Sequence, residues 1–132
     1  MITFGNYKEI GKLTEYDIAA MLLSAAMHDY DHPGLNNVYM INTRHHLAVR
    51  YNDKSVLENY HVACGFELMQ KKEFNIFSNL EFDEYKQMRE KIVGMVLATD
   101  MTLHFGEIGK LKTRVRSEDF DPIKADKQLI MN

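Results

Sequence analysis

Cysteine is scarce in this sequence, which has one, Cys64, among 132 residues. A single cysteine excludes a disulfide framework within the chain and fits a reducing compartment. Because Cys64 lies in an apolar pattern beside Ala63 and Gly65, we interpret it as a small buried hydrophobe rather than a nucleophile.

Long apolar runs are missing as well. The longest, residues 18–27, is about half the length that spans a bilayer. The start of the sequence, M-I-T-F-G-N-Y-K-E-I-G-K, holds no continuous apolar core of the signal-peptide type. We therefore expect a cytoplasmic protein without a membrane span.

A surplus of positive charge is also absent, since the formal net charge is −3 at pH 7. A surface dedicated to nucleic acid would be basic, so we expect no nucleic-acid partner. The sequence does contain 45% apolar and 27% charged residues, which is typical of a globular protein. A chain of this length can bury about two-thirds of its unfolded surface as one domain.

Helical patterns dominate, and no strand pattern is convincing. Thr14 and Asp17 predict a capping box at the start of a helix that Pro33-Gly34 ends. This helix is apolar on nearly every side, so we expect it inside a bundle. The other predicted segments are an irregular start over 1–13, short helices over 36–42 and 44–51, a helix over 56–70, a short helix or turn over 74–80, one long helix over 82–116 with Gly106 and Gly109 as candidate bends or ends, and a last helix from 125. We predict an all-α fold, a compact bundle of about six helices in which short loops make neighbours antiparallel.

A polar cluster, His28-Asp29-Tyr30-Asp31-His32, which we call the HD cluster after its first two residues, lies at the end of the first predicted helix. Imidazole nitrogen and carboxylate oxygen are ligands of Zn²⁺, Mn²⁺ and Fe²⁺, and carboxylate also suits Mg²⁺. His28 and His32 share a face if the helix continues, and Asp29 can converge on the same point. Polar groups at the end of a buried helix need a partner, and a metal suits both kinds.

Two further polar clusters interrupt the later helices. Glu58 and His61 are three residues apart, and His104 follows Asp100 by four. Taken alone, each is an ordinary helix pair worth about 0.2–0.5 kcal/mol. Three buried helices that each carry carboxylate and imidazole favour one shared site at the centre of the bundle.

Three motifs in this order closely resemble the class I cyclic nucleotide phosphodiesterases, helical enzymes of the HD metal-dependent phosphohydrolase group. They are H-D-Y-D-H-P-G-L-N-N from residue 28, Y-N-D-K-S-V-L-E-N-Y-H from residue 51, and V-L-A-T-D-M-T-L-H from residue 96. The resemblance is strong over about residues 14–105. It implies the phosphodiesterase catalytic-domain fold and the hydrolysis of cAMP or cGMP to the 5′-nucleotide. It also implies two divalent metal ions, zinc together with magnesium or manganese, because paired cations relieve the charge of a phosphodiester under attack.

The resemblance further implies roles for particular residues. His28 matches a ligand of the tighter metal, and Asp29 matches the carboxylate that bridges both metals. His32 resembles the family histidine that contacts the phosphate or the water on the metals. By the same resemblance, Glu58 is a catalytic residue together with His32. The residues near the substrate are Asn37, His61 and Met101. Thr99 and Asp100 match residues that contact the metal ligands or their waters and not the metals themselves. Two alternatives stay open, since Met101 can be a core residue and Asn37 can cap the turn after Pro33-Gly34.

Some parts of the family pattern do not occur here. Tyr60 replaces a histidine that often precedes His61, and residues 1–27 contain no H-N-x-x-H motif, which supplies the general acid and another ligand. The sequence ends at K-A-D-K-Q-L-I-M-N, before the late metal aspartate and the purine-binding region, and Asp119, Asp121 and Asp126 lie in the wrong context to replace that aspartate. We therefore expect residues 1–132 to be part of a catalytic domain, weakly active or inactive alone. Homodimers are common in the family and are a further expectation.

Two other functions compete with this one. Another HD-type phosphohydrolase would act on a different phosphoester, but plain HD proteins lack the second and third motifs. In a non-catalytic helical relative, the HD cluster would be a polar plug, meaning a group of polar side chains that are fully hydrogen-bonded within the fold and bind no metal. Chelation distinguishes a plug, which keeps its stability without metal, from a metal site, which loses stability.

Overall fold

The computed structural model describes residues 13–117 and 119–120. These residues form six α-helices and one 3₁₀ helix, with no strand among them, so the predicted all-α fold is confirmed. The predicted irregular start and the predicted helix from residue 125 lie outside the described residues. The helices are α1 (Glu15–Met27), α2 (Asn37–Asn42), α3 (His46–Arg50), α4 (Val56–Met69), the 3₁₀ helix (Lys72–Phe74), α5 (Phe82–Leu97) and α6 (Met101–Val115).

The capping box predicted for α1 is present. Thr14 is extended, its hydroxyl accepts a hydrogen bond from the Asp17 N–H at 3.2 Å, and the Asp17 carboxylate accepts one from the Thr14 N–H at 2.8 Å. Two N–H groups that a helix start leaves without partners are thereby satisfied. The helix ends at Met27, directly before the HD cluster.

The single long helix predicted over 82–116 is wrong, because the chain breaks between α5 and α6. Asp100 is extended (φ −62°, ψ 110°), and its carboxylate accepts hydrogen bonds from the Thr102 N–H at 2.9 Å and the Thr102 hydroxyl at 2.7 Å. An extended aspartate that accepts from the second residue of a helix is a strong N-cap, so Asp100 starts a new helix. Gly106 and Gly109 lie inside α6 and do not end it.

The core consists of two apolar clusters. The larger lies where α1, α4 and α5 meet and includes Ala20, Phe66 and Ile92, while the smaller joins α2, α3 and α4 around Met40. The expectation that α1 is apolar and buried on nearly every side is wrong for this structure, because α1 buries one stripe and Leu22 is 52% exposed.

A close approach between α1 and α4 fixes where the HD cluster begins. A Cβ added at Gly65 would lie 2.3 Å from the Cε atom of Met27, so the Met27 side chain packs directly on α4 at Gly65. His28 follows Met27 and is thereby brought to the side of α4. Among the described residues, no helix is long and apolar enough to cross a membrane.

Candidate metal centre

The HD cluster occupies the loop that leaves α1. Its first residues keep a helical turn, in which the Tyr30 N–H donates to the Met27 carbonyl at 3.0 Å. Asp31 then adopts a left-handed conformation with φ 58°, and Gly34 does the same with φ 76°. Aspartate tolerates this region better than most residues and glycine adopts it freely. The chain therefore leaves the helical path at Asp31.

His61 reaches this loop from α4. It is 1% exposed, and its Nδ1 lies 2.7 Å from the Tyr30 carbonyl oxygen. A carbonyl can only accept, so Nδ1 carries the proton, and the Nε2 lone pair of the neutral ring is free to accept. That Nε2 lies 3.9 Å from Asp29 Oδ1.

His28 repeats this arrangement from the other side of Asp29. Its Nδ1 donates to the Ala25 carbonyl at 2.8 Å, and its Nε2 lies 3.6 Å from Asp29 Oδ2. The Nε2 atoms of His28 and His61 thus lie 3.6 and 3.9 Å from the two oxygens of one carboxylate. A metal ion, a proton on a ring or a bridging water can lie between acceptors placed this way.

His32 has the opposite tautomer. Its Nδ1 accepts from the Gly34 N–H at 3.0 Å, so a neutral ring carries its proton on Nε2 and can donate it. The ring stacks on His61 with centroids 5.3 Å apart and an angle of 21° between the planes. Asp29, His32 and His61 each offer an atom so placed that all three lie within 4.8 Å of one another.

Tyr60, the residue that replaces the family histidine, also contacts the loop. Its hydroxyl donates to the Asp31 carboxylate, and this bond, more than its contact with Cys64, raises the pKa of Tyr60 well above its usual value. Cys64 is half-buried, and burial raises the pKa of its thiol. A raised pKa disfavours the thiolate, which agrees with a packing role for Cys64.

Glu58 and Asn37 form a separate hydrogen-bonded pair. The Asn37 amide nitrogen donates to Glu58 Oε2 at 2.9 Å, and its amide oxygen accepts from the Leu57 N–H at 2.9 Å. Asn37 therefore ties the start of α2 to the first turn of α4 and fixes the orientation of the Glu58 carboxylate.

The remaining predicted site residues lie around the break before α6. Thr99 donates its hydroxyl to the Val96 carbonyl at 2.7 Å, and the Ser55 hydroxyl donates to Asp100 at 2.7 Å. Burial would raise the pKa of Asp100, but the hydrogen bonds from Thr102 and Ser55 outweigh it and lower that pKa. Met101 is 67% exposed and is not a core residue in this part of the chain.

A family model described as 3′5′-cyclic nucleotide phosphodiesterase matches residues 1–132. The chain belongs to this phosphodiesterase family. Among curated relatives, it is 44% identical over 114 residues to the bovine "Dual specificity calcium/calmodulin-dependent 3′,5′-cyclic nucleotide phosphodiesterase 1B", and 45% identical to the human protein of that name. Each match covers 86% of this chain, and the chain spans 21% of the length of these relatives.

Solved phosphodiesterase domains share the fold. The phosphodiesterase domain of the RhoPDE fusion protein from the choanoflagellate Salpingoeca rosetta superposes with a TM-score of 0.82 at 37% identity, and the match covers 90% of this chain and 38% of that one. A second structure of the rhodopsin phosphodiesterase domain from the same organism gives a TM-score of 0.83. The predicted phosphodiesterase fold is thereby confirmed.

The fold brings some predicted site residues together around Asp29, and it bonds others in separate pairs, Asn37 with Glu58 and Ser55 with Asp100. Asp29 is flanked by His28 and His61, with His32 stacked on His61. Sequence analysis missed two hydroxyls, those of Tyr60 and Ser55, which bind Asp31 and Asp100 across the fold. For Tyr60 a signal existed, since it directly precedes His61 in the second motif; for Ser55 no local pattern pointed to Asp100.

Proposed function

We propose that this chain supplies metal and phosphate contacts in an enzyme that hydrolyses 3′,5′-cyclic nucleotides, cAMP or cGMP, to the 5′-nucleotide. Membership of the phosphodiesterase family supports the reaction class. The observation that carries the proposal is the placement of two Nε2 atoms, those of His28 and His61, 3.6 and 3.9 Å from the carboxylate of Asp29. We further propose that residues 1–132 form part of a longer catalytic domain and act in the cytoplasm; the homodimer and the absence of a nucleic-acid partner stay predictions.

The donor set fits a divalent ion. Two ligand atoms that are each about 2.1 Å from an ion at the tetrahedral angle lie about 3.4 Å apart, and His28 Nε2 is 3.6 Å from Asp29 Oδ2. The Nδ1–H group of His28 is held by a backbone carbonyl, as is usual for a histidine that binds metal. We assign His28 and Asp29 as ligands, with zinc and magnesium or manganese as the ions of the complete site.

When bound, such ions offset phosphate charge and lower the pKa of water. The chain's own groups then have complementary tasks. His32 would donate its Nε2–H to a phosphate oxygen, because its Nδ1 is occupied by the Gly34 N–H. His61 Nε2 would accept a hydrogen bond from a water that lies between it and Asp29, since both atoms are acceptors and cannot bond to each other directly. Glu58 is oriented by Asn37 and would accept from further waters.

The metal part of the proposal is tested by thermal unfolding with Mn²⁺ or Zn²⁺ and with chelator. At an ion concentration of about 100 times Kd, binding stabilises the folded state by about 2.7 kcal/mol, so Tm should rise for the wild type. Asp29→Asn should lose this response, whereas the exposed control Asp83→Asn should keep it. Equal responses in all three proteins would contradict the assignment and favour a polar plug.

The substrate part is tested by phosphorus NMR of cAMP and cGMP mixed with the ion-loaded chain. Binding should broaden the cyclic phosphodiester signal, and His32→Gln should reduce that broadening by removing the Nε2–H donor. A phosphomonoester signal would report hydrolysis, which we expect to be slow or absent for this chain alone. Broadening that is equal for His32→Gln and the wild type would contradict the role of His32.

A further inference from the structure

Two neighbouring residues of α4 donate hydrogen bonds to the loop that carries the candidate ligands. Tyr60 donates its phenol proton to the Asp31 carboxylate, and His61 donates from Nδ1 to the Tyr30 carbonyl at 2.7 Å. These contacts fall on successive loop residues, between Asp29 and His32. The loop is therefore attached to α4 at the point where the chain turns from one candidate site residue to the next.

The turn depends on an uncommon backbone conformation. Asp31 has φ 58°, in the left-handed region that residues other than glycine adopt rarely. Asp31 is exposed, so packing does not hold it there. Its carboxylate bond to Tyr60 links this conformation to α4. Once the chain has turned, the His32 ring stacks on the buried ring of His61.

We propose that Tyr60 is a positioning residue of the site. The hydrogen bond from its phenol holds Asp31 in the left-handed conformation. This conformation keeps Asp29 and His32 in their positions beside His61. The proposal rests on the proposed function where it concerns ion binding, because Tyr60 would act through Asp31 and not by touching the ion. In this family position, where histidine is common, the tyrosine hydroxyl provides a donor for the loop carboxylate.

The first test uses the metal-free chain and does not depend on the proposed function. Nitrogen NMR of the imidazoles should find the His32 proton on Nε2 and the His61 proton on Nδ1 in the wild type. In Tyr60→Phe, which loses only the hydroxyl, His32 should become a mixture of tautomers, because the loop no longer holds its Nδ1 against the Gly34 N–H. Tyr16→Phe is the matched control, since it removes a tyrosine bond to the Glu84 carboxylate, 2.9 Å long, at the other end of α1.

The second test measures Mn²⁺ affinity. Loss of a group that orients a ligand typically weakens binding by about 10- to 100-fold, so we expect at least about a tenfold loss in Tyr60→Phe and none in Tyr16→Phe. Asp31→Asn keeps an acceptor oxygen and tolerates the left-handed region, so it should bind Mn²⁺ nearly as the wild type does. Asp31→Ala loses both the acceptor oxygen and the tolerance of the left-handed region, so its Mn²⁺ affinity should match that of Tyr60→Phe. Combining the two changes should weaken Mn²⁺ binding no further.

The outcomes separate this inference from the proposed function. If the wild type binds Mn²⁺ and Tyr60→Phe binds it equally well with unchanged tautomers, the role of Tyr60 is overturned. If the wild type binds no Mn²⁺, the proposed function fails, and the tautomer spectra alone decide whether Tyr60 positions the loop. Circular dichroism of each variant excludes unfolding as the cause, and Asp31→Ala provides the same test if Tyr60→Phe does not fold.

Discussion

Lys91 of α5 reaches the buried carboxylate of Asp17 on α1, and the distance from its Nζ to Asp17 Oδ1 is 2.5 Å. The Asp17 side chain is 1% exposed and that of Lys91 is 30% exposed. The other oxygen of Asp17 accepts from the N–H and the hydroxyl of Thr14. One carboxylate therefore caps α1 and joins it to α5, the helix against which α1 packs.

Removing Lys91 should destabilise the fold. Lys91→Met removes the Lys91 cation from the buried Asp17 carboxylate, and breaking a buried pair costs about 3–5 kcal/mol. Because Lys91 is partly exposed, we expect about 2 kcal/mol, measured by urea unfolding. The exposed Lys86→Met on the same helix should change stability by less than about 0.5 kcal/mol. Asp17→Asn/Lys91→Met, which removes both charges, should recover part of the loss, and a loss equal to the sum of the single changes would rule out the pair as its cause.

Asp100 should make stability depend on acid pH. Its folded pKa lies below its ordinary value, about 3.9, because the Thr102 and Ser55 hydrogen bonds outweigh burial. A lowered folded pKa stabilises the protein above the unfolded pKa, and this contribution is lost as pH falls through the folded pKa. Asp100→Asn should therefore be about 1–2 kcal/mol less stable than the wild type at neutral pH. That gap should shrink below about pH 4.

Urea unfolding midpoints between neutral and acid pH provide this measurement. The exposed Glu90→Gln on α5 is the control for a general change in charge, and its difference from the wild type should stay small throughout. A constant gap between Asp100→Asn and the wild type over the whole range would show that the Asp100 charge does not contribute.

Local sequence signals predicted much of the fold and the composition of the site. The capping box at Thr14 and Asp17 needs only residues three apart, and the HD cluster is contiguous in the chain. The break at Asp100 was missed because apolar periodicity continues across it. The hydrogen bond from the Thr102 N–H to the Asp100 carboxylate favours the start of a new helix over the continuation of α5. The one-sided burial of α1 depends on which elements pack against it, and no property of its own residues shows that.

Contacts between distant residues could not be predicted. Tyr60 meets Asp31 across 29 positions and Ser55 meets Asp100 across 45. Helical periodicity places each hydroxyl on a face of α4 or at its start, but the partner follows only from how α4 packs on its neighbours. The tautomers of His28, His32 and His61 depend in the same way on backbone groups that the fold brings to each ring.

The same substitution at two helix glycines should have different effects. Gly109 in α6 has open space where a Cβ would lie, so Gly109→Ala should stabilise the protein by up to about 1 kcal/mol through helix propensity. Gly65→Ala puts a methyl group 2.3 Å from Met27 Cε and 3.2 Å from Met27 Cγ. Because the Met27 side chain must then shift in a packed core, the gain in helix propensity is offset, and we expect Gly65→Ala to be about 1 kcal/mol less stable than Gly109→Ala by urea unfolding. If both variants gain stability equally, the contact between α1 and α4 does not need glycine.

Asn37→Asp should destabilise the protein in a way that low pH reverses. The change replaces the amide nitrogen, which lies 2.9 Å from Glu58 Oε2, with an oxygen, so two carboxylates meet. Two carboxylates this close cannot both ionise without cost, so one folded pKa is raised. Stability is then present below the unfolded pKa and is lost as pH rises through the raised value. We expect a deficit of about 2 kcal/mol at neutral pH that closes at about pH 4.

The partner substitution provides the control for this prediction. In Asn37→Asp/Glu58→Gln the donor and the acceptor exchange places, so the hydrogen bond returns in reverse while the new carboxylate still accepts from the Leu57 N–H. Its unfolding free energy should return to within about 0.5 kcal/mol of the wild type at neutral pH. If the double variant is as unstable as Asn37→Asp, the loss arises at the start of α2 and not from the contact with Glu58.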